Sequence, residues 1–269
     1  MRAGGAVVAV GLGALALDAV FNSSTSDKQH VFSSEFDTLA TNVFVREYLN
    51  ETFRYVGGAL ALTATSALLL HRSFAFQRIM ARHPIGTALG GMAVTIGCMI
   101  GTLNTDPSNL TQKHILFAAF AVAKGAMLSP LFFLNPTIIA RAGLYTAAIV
   151  GSLSYVAATS KSDRFLYLGG PLFGGLCIVA LSSLSTLFLP VTSVALPLLH
   201  SLSLYGGLAV FGGFVLYDTQ KVIQHGNLAS RGIAKRDPVN ESISLYLDFI
   251  NIFVRMVQIL SMTGSNKRR

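Results

Sequence analysis

Two aspartates lie in stretches otherwise apolar enough to cross a bilayer: Asp218 in Leu216-Tyr217-Asp218-Thr219-Gln220-Lys221, and Asp248 in Ser244-Leu245-Tyr246-Leu247-Asp248-Phe249-Ile250-Asn251. A carboxylate held there costs roughly 3 kcal/mol or more on insertion scales, so it marks a function by default. Two carboxylates brought close in a low dielectric do not both ionise readily and share one proton. The protonated pair bridges its two helices. The ionised pair repels or admits a divalent cation, and calcium suits it because calcium accepts roughly 6 to 8 oxygen ligands in flexible geometry. Asp218 and Asp248 supply at most about four oxygens, so Asn251, Ser244, backbone carbonyls or water would complete the shell.

The residues around each aspartate bear on its orientation. Glu241, Ser244, Asp248, Asn251, Arg255 and Gln258 recur three or four residues apart, which places them on one face of a helix whose other faces are Ile, Leu, Phe, Val and Met. Such a stripe lines a protein-enclosed cavity or lies along the membrane surface. Its mixture of signs favours the lining, since a surface helix carries a Lys/Arg-rich polar face. Asp218 falls about one turn from the end of its expected span, where the macrodipole is negative, so a proton or cation must compensate it. Lys124 lies in the middle of another span, too deep to snorkel easily, and is expected to turn inward as a counter-ion to Asp218 and Asp248.

The elements that must position these groups are membrane helices. Of the 269 residues, 52% are hydrophobic and only 12% charged, against roughly 25% charged in a soluble domain. Mean hydropathy is +0.58. Spans of about 20 residues are expected at 55–70, 85–103, 115–134, 138–158, 165–189, 197–221 and 242–262, with Asp106-Pro107, Asn135-Pro136 and Leu189-Pro190 as turns between them. Residues 1–21 read as an additional N-terminal transmembrane helix. Ala14-Leu15-Ala16 imitates a cleavage site and leaves a secretory signal as the alternative. The expected fold is an all-α membrane protein: a seven-transmembrane-helix bundle at 55–263, preceded by a polar linker at 22–54 and followed by a basic tail at 264–269.

Other signals are weaker. The net charge of +8 is spread over loops and the tail rather than along one stripe with interleaved aromatics, which argues against nucleic acid as a partner. Cys98 and Cys177 have no CxxC or His partner nearby and read as small buried hydrophobes. The six histidines are scattered through loops and span ends. Gly86 with Gly90, Gly97 with Gly101, and Gly170 with Gly174 are spaced to let helix backbones approach. Lysine and arginine counts by loop favour neither orientation in the membrane.

The two aspartate stretches, together with Asp237-Pro238-Val239-Asn240, Asn251-Ile252-Phe253, Ala140-Arg141-Ala142, Tyr145-Thr146-Ala147 and Tyr205-Gly206-Gly207, resemble the transmembrane Bax-inhibitor-motif family. Gly11-Leu12-Gly13-Ala14-Leu15 is similar to the mitochondrial branch, which has an extra first helix. The resemblance implies a seven-helix bundle around a di-aspartyl pH sensor at Asp218 and Asp248, and pH-dependent calcium conduction. It further implies a multi-pass protein of the inner mitochondrial membrane acting as a calcium/proton exchanger or calcium leak channel, with calcium as transported ion and no other cofactor. The endoplasmic reticulum membrane is the alternative compartment. Some relatives carry an arginine in the second span, whereas residues 85–103 hold no cation, and Lys124 is expected to substitute.

Two other functions compete. A membrane scaffold for cristae organisation and cytochrome c retention would act through inner-membrane partners at the linker and at residues 224–240. An intramembrane aspartyl protease would resemble Gly-x-Gly-Asp at the second aspartate, where this chain has Leu245-Tyr246-Leu247-Asp248, so the expectation is a transporter and not an enzyme.

Overall fold

The computed structural model describes residues 43–160, 164–188 and 195–266. They form eight helical segments: α1 (Val43–Arg72), α2 (Phe74–Arg82), α3 (Pro84–Asn104), α4 (Leu110–Leu128), α5 (Pro136–Thr159), α6 (Gly169–Phe188), α7 (Ala195–Ser230) and α8 (Pro238–Asn266). All but the short α2 are long and apolar enough to cross a membrane. No strand occurs among the described residues. The chain is a seven-helix membrane bundle. The N-terminal helix expected at 1–21 lies outside the described residues. The linker expected at 22–54 ends earlier than predicted, because α1 already begins at Val43 and buries Val45, Tyr48 and Thr52.

Local sequence sets most helix starts. Asn109 and Asn135 accept hydrogen bonds from the backbone N–H of Gln112 and Thr137, and Ser73 does the same for Phe76. Pro84, Pro136 and Pro238 each occupy the first helical position, where a missing N–H costs nothing. Asp237, just ahead of Pro238, accepts from Asn240 N–H and so caps α8.

α8 is the central helix and packs against α1, α5 and α7, with lesser contacts to α3 and α4. Its Tyr246 is fully buried; the hydroxyl donates to Thr63 Oγ1 of α1 at 2.7 Å, which in turn donates to Ala121 O of α4 at 3.0 Å. Three helices are thereby tied by a chain of satisfied polar groups, which lipid could not supply. Apolar side chains of the outer helices, such as Val94, Ile100, Phe173 and Leu181, point outward and are exposed.

Of the glycines spaced four apart, only Gly101 faces another helix closely, a Cβ there lying 3.3 Å from Leu116 of α4. A side chain at Gly90, Gly97, Gly170 or Gly174 would meet nothing within 4 Å, because α3 and α6 are peripheral and turn these positions away from neighbours. Backbone meets backbone most closely at Gly125 on α4, where a Cβ would lie 2.5 Å from the backbone oxygen of Thr63 on α1.

The helices alternate in direction and give the bundle two ends. One gathers the start of α1, the α3–α4 turn, the end of α7 and the start of α8, and three of its cations are paired: Lys113 with Asp237, Lys235 with Asp106, and Arg236 with Glu47 and Glu51. We call it the ion-paired end. The other carries Arg72, Arg78 and Arg82 with no acid among the described residues, and is the cationic end.

Candidate functional site

α7 and α8 run antiparallel from the α7–α8 turn, and their register sets Asp218 opposite Asp248. The two carboxyl groups are in hydrogen-bonding contact, with Asp218 8% and Asp248 4% exposed. A hydrogen bond between two carboxyl groups requires a proton on one of them. The second oxygen of Asp248, Oδ2, is buried with no hydrogen-bond partner. No protein group among the described residues competes for that oxygen. The site can take up a second proton or exchange its proton for a cation.

Asp218 is deeper than the sequence suggested. α7 continues through Gln220, Val222, Ile223 and Gly226, all packed inward, and ends at Ser230, about three turns beyond Asp218. The polar residues expected to end the span are held helical by packing against α1, where Gly226 faces Tyr48 and Val45. The helix macrodipole therefore does not weigh on Asp218, since that effect fades within the last turn. What surrounds Asp218 is protein. Besides Asp248, Lys221 and Glu241 are close enough to act on it electrostatically, and the adjacent Thr219 donates to Ser154 Oγ of α5 at 3.3 Å.

The same antiparallel register repeats two turns away in each direction, roughly 10 Å. Toward the ion-paired end, His225 lies seven residues beyond Asp218 and Glu241 seven before Asp248, and these two are hydrogen-bonded through Nδ1 and Oε1 at 2.5 Å. The His225 side chain is 39% exposed. Toward the cationic end, Arg255 lies over the ring of Phe211, with 4.6 Å from guanidinium to centroid. A column of polar groups thus runs along the α7–α8 seam with the aspartates at its centre.

The other expected members of the site are placed differently. Ser244 is half-buried between the Glu241 and Asp248 levels of the stripe. Asn251 turns its amide nitrogen to Leu247 O at 2.8 Å, and its Oδ1 accepts from Arg255 at 3.5 Å, so its carboxamide is engaged away from the pair. Gln258 is exposed. Lys124 is half-buried and makes no ion pair or hydrogen bond among the described residues; the counter-ion role expected of it is not realised. The reason is tertiary: α4 packs chiefly against α1 and α3, while α7 takes α5, α6, α1 and α8 as neighbours. The fully buried lysine is Lys113, on the first turn of α4, which gives no signal in the sequence because it sits at a span end where snorkelling is ordinary. It bonds Asp237 at 2.5 Å and Thr105 O at 3.0 Å.

The model of the family described as "Inhibitor of apoptosis-promoting Bax1" matches residues 45–265. The chain belongs to this family. It is 39% identical over 230 residues to the growth hormone-inducible transmembrane protein of Rattus norvegicus, an alignment covering 84% of this chain and 66% of that protein, just under two thirds of its length. It is 33% identical to Bax inhibitor 1 of Bos taurus over 70% of this chain and 78% of that one, and 31% identical to Bax inhibitor 1 of Arabidopsis thaliana over 66% and 72%. The family match begins two residues into α1 and ends within α8, so it takes in the whole bundle, the aspartate pair and the polar column.

Proposed function

We propose that this Bax-inhibitor family protein moves calcium across a membrane in exchange with protons, or leaks it under proton control, using Asp218 and Asp248 as the shared site. The observation that carries the reading is the buried pair of carboxyl groups in mutual contact on two antiparallel helices, with Asp248 Oδ2 unpartnered. A proton and a calcium ion satisfy the same oxygens and compete for them. The second aspartate stands in Leu245-Tyr246-Leu247-Asp248 and not in the Gly-x-Gly-Asp that an intramembrane aspartyl protease would carry, so the reading is of a transporter and not an enzyme. The inner mitochondrial membrane is the proposed compartment, through the resemblance to the branch with an extra first helix.

The test is calcium flux in proteoliposomes across a pH series. Wild type carries calcium with a strong pH dependence, and Asp218→Asn and Asp248→Asn abolish it. Equal flux with both changed to Asn overturns the reading. Exchange is separated from leak by whether an imposed proton gradient drives calcium uphill.

The family description favours a second reading, a regulatory membrane protein acting on apoptosis; cristae organisation and cytochrome c retention through inner-membrane partners are the form of it that the resemblance to the mitochondrial branch suggests. If the double Asn variant restores membrane morphology to a null cell without restoring flux, the two roles are separate.

A further inference from the structure

Arg255 is the one cation in the polar column that faces no acid among the described residues and is held by neutral groups alone. Its Nε donates to Ser203 O at 3.4 Å, and its Nη1 to Asn251 O at 3.1 Å and Asn251 Oδ1 at 3.5 Å, while Phe211 lies beneath. Two local features of α7 make room for it. Residues Leu202–Gly206 form a π-helical turn, a widening frequent at functional sites, and Ser203 O belongs to that turn. Directly after it, Gly207 has no side chain, and a Cβ there would lie 2.0 Å from Arg255 Nε. The chain thus builds a seat for a guanidinium two turns from the aspartate pair, on the side of the cationic end. Neutral acceptors hold it in place without cancelling its charge, and a guanidinium remains charged in any such setting.

We propose that Arg255 is a tethered cation that closes the path between the aspartate pair and the cationic end, taking the space and the charge that a passing cation would need. Exchange with water then runs through the ion-paired end, past Ser244 and Lys221 to the Glu241–His225 pair. Opening toward the cationic end requires Arg255 to leave the seat formed by Ser203, Gly207 and Phe211. A divalent cation does not pass a fixed guanidinium in a low-dielectric channel, because the repulsion adds to the loss of its own hydration. The inference rests on reading the pair as a cation site, but closure of the path is measurable without transport.

The experiment uses the full chain with Cys98 and Cys177 changed to Ala and Asp248→Cys as reporter, in vesicles whose C-terminal tail faces an added impermeant, positively charged thiol reagent. Labelling is slow with Arg255 in place. It rises at least tenfold with Arg255→Met, stays near the parent rate with Arg255→Lys, and rises with Gly207→Ala, which evicts the arginine while leaving it in the chain. Gly207→Ala also covers the case in which Arg255→Met fails to fold. Unchanged labelling in both Arg255→Met and Gly207→Ala overturns the proposal, and so does a staple that merely holds α7 to α8, since its loss destabilises without opening one face. In parallel, Arg255→Met with the native pair raises calcium flux several-fold, and Asp218→Asn in the same chain removes the gain. If labelling opens while no variant, wild type included, carries calcium, the closure stands and the calcium reading of the pair fails.

Discussion

The ion-paired end and the centre of the α7–α8 seam both bury ionisable groups, and they treat them in opposite ways. At the ion-paired end each buried charge meets its opposite: Lys113, 0% exposed, is held by Asp237, which also caps α8, so one carboxylate joins α4 to the start of the central helix. At the centre, two carboxyl groups meet each other, an oxygen is left without a partner, and the cation two turns away rests on carbonyls and a ring. A pair of opposite charges is complete and has little reason to change state. A pair of carboxyl groups is completed only by a proton or a cation, which can come and go. On the proposed function, the difference separates charge that fixes a fold from charge that exchanges protons or ions.

The largest effect that could break this contrast is at the paired end. Lys113→Met leaves the half-buried Asp237 without its cation and is expected to destabilise by about 3 kcal/mol, with part recovered in the Lys113→Met, Asp237→Asn double variant. Thermal or denaturant unfolding in detergent measures both, and a neutral single variant would remove the distinction. Next is Tyr246→Phe, which takes a donor from buried Thr63 and is expected to cost about 1 kcal/mol in the same assay. The sharpest contrast comes from Asp248→Asn: transport is expected to be lost while stability stays within about 1 kcal/mol of wild type, because the amide can donate to Asp218 as the shared proton did.

The smallest effect is at the rim. Lys235 and Asp106 are both well exposed, so Lys235→Met is expected to leave unfolding unchanged within error. The Lys235 ammonium and Ser108 together hold the Asp106 carboxyl well below the usual carboxylate range. A depressed folded value stabilises above the ordinary carboxylate pKa of about 4 and loses that contribution as pH falls through the lowered value. Titration between pH 5 and 8 should therefore show no stability change from this pair, and any pH dependence of flux in that window belongs elsewhere.

How much of this was legible in the sequence depended on the distance over which each signal acts. The membrane class, the helices and most of their starts follow from hydropathy, asparagine caps and first-position prolines, all of which act within a few residues. The stripe from Glu241 to Arg255 was legible for the same reason, since helical spacing alone puts its members on one face. The end of α7 was not, because Gln220 and Gly226 read as polar and flexible until α1 packs on them. Lys124 drew attention by its depth, yet depth says nothing about which helix lies opposite.

The sequence alone therefore determined that this is a helical membrane protein with costly carboxylates at Asp218 and Asp248 and an inward polar face on its last helix. Only the tertiary structure decided that the two aspartates meet, that Glu241 meets His225, that Lys113 and not Lys124 is the buried, paired lysine, and that Arg255 sits against Gly207. The physical reason is that burial and periodicity are properties of one helix, whereas partners are set by the register between helices, which depends on the packing of all of them together.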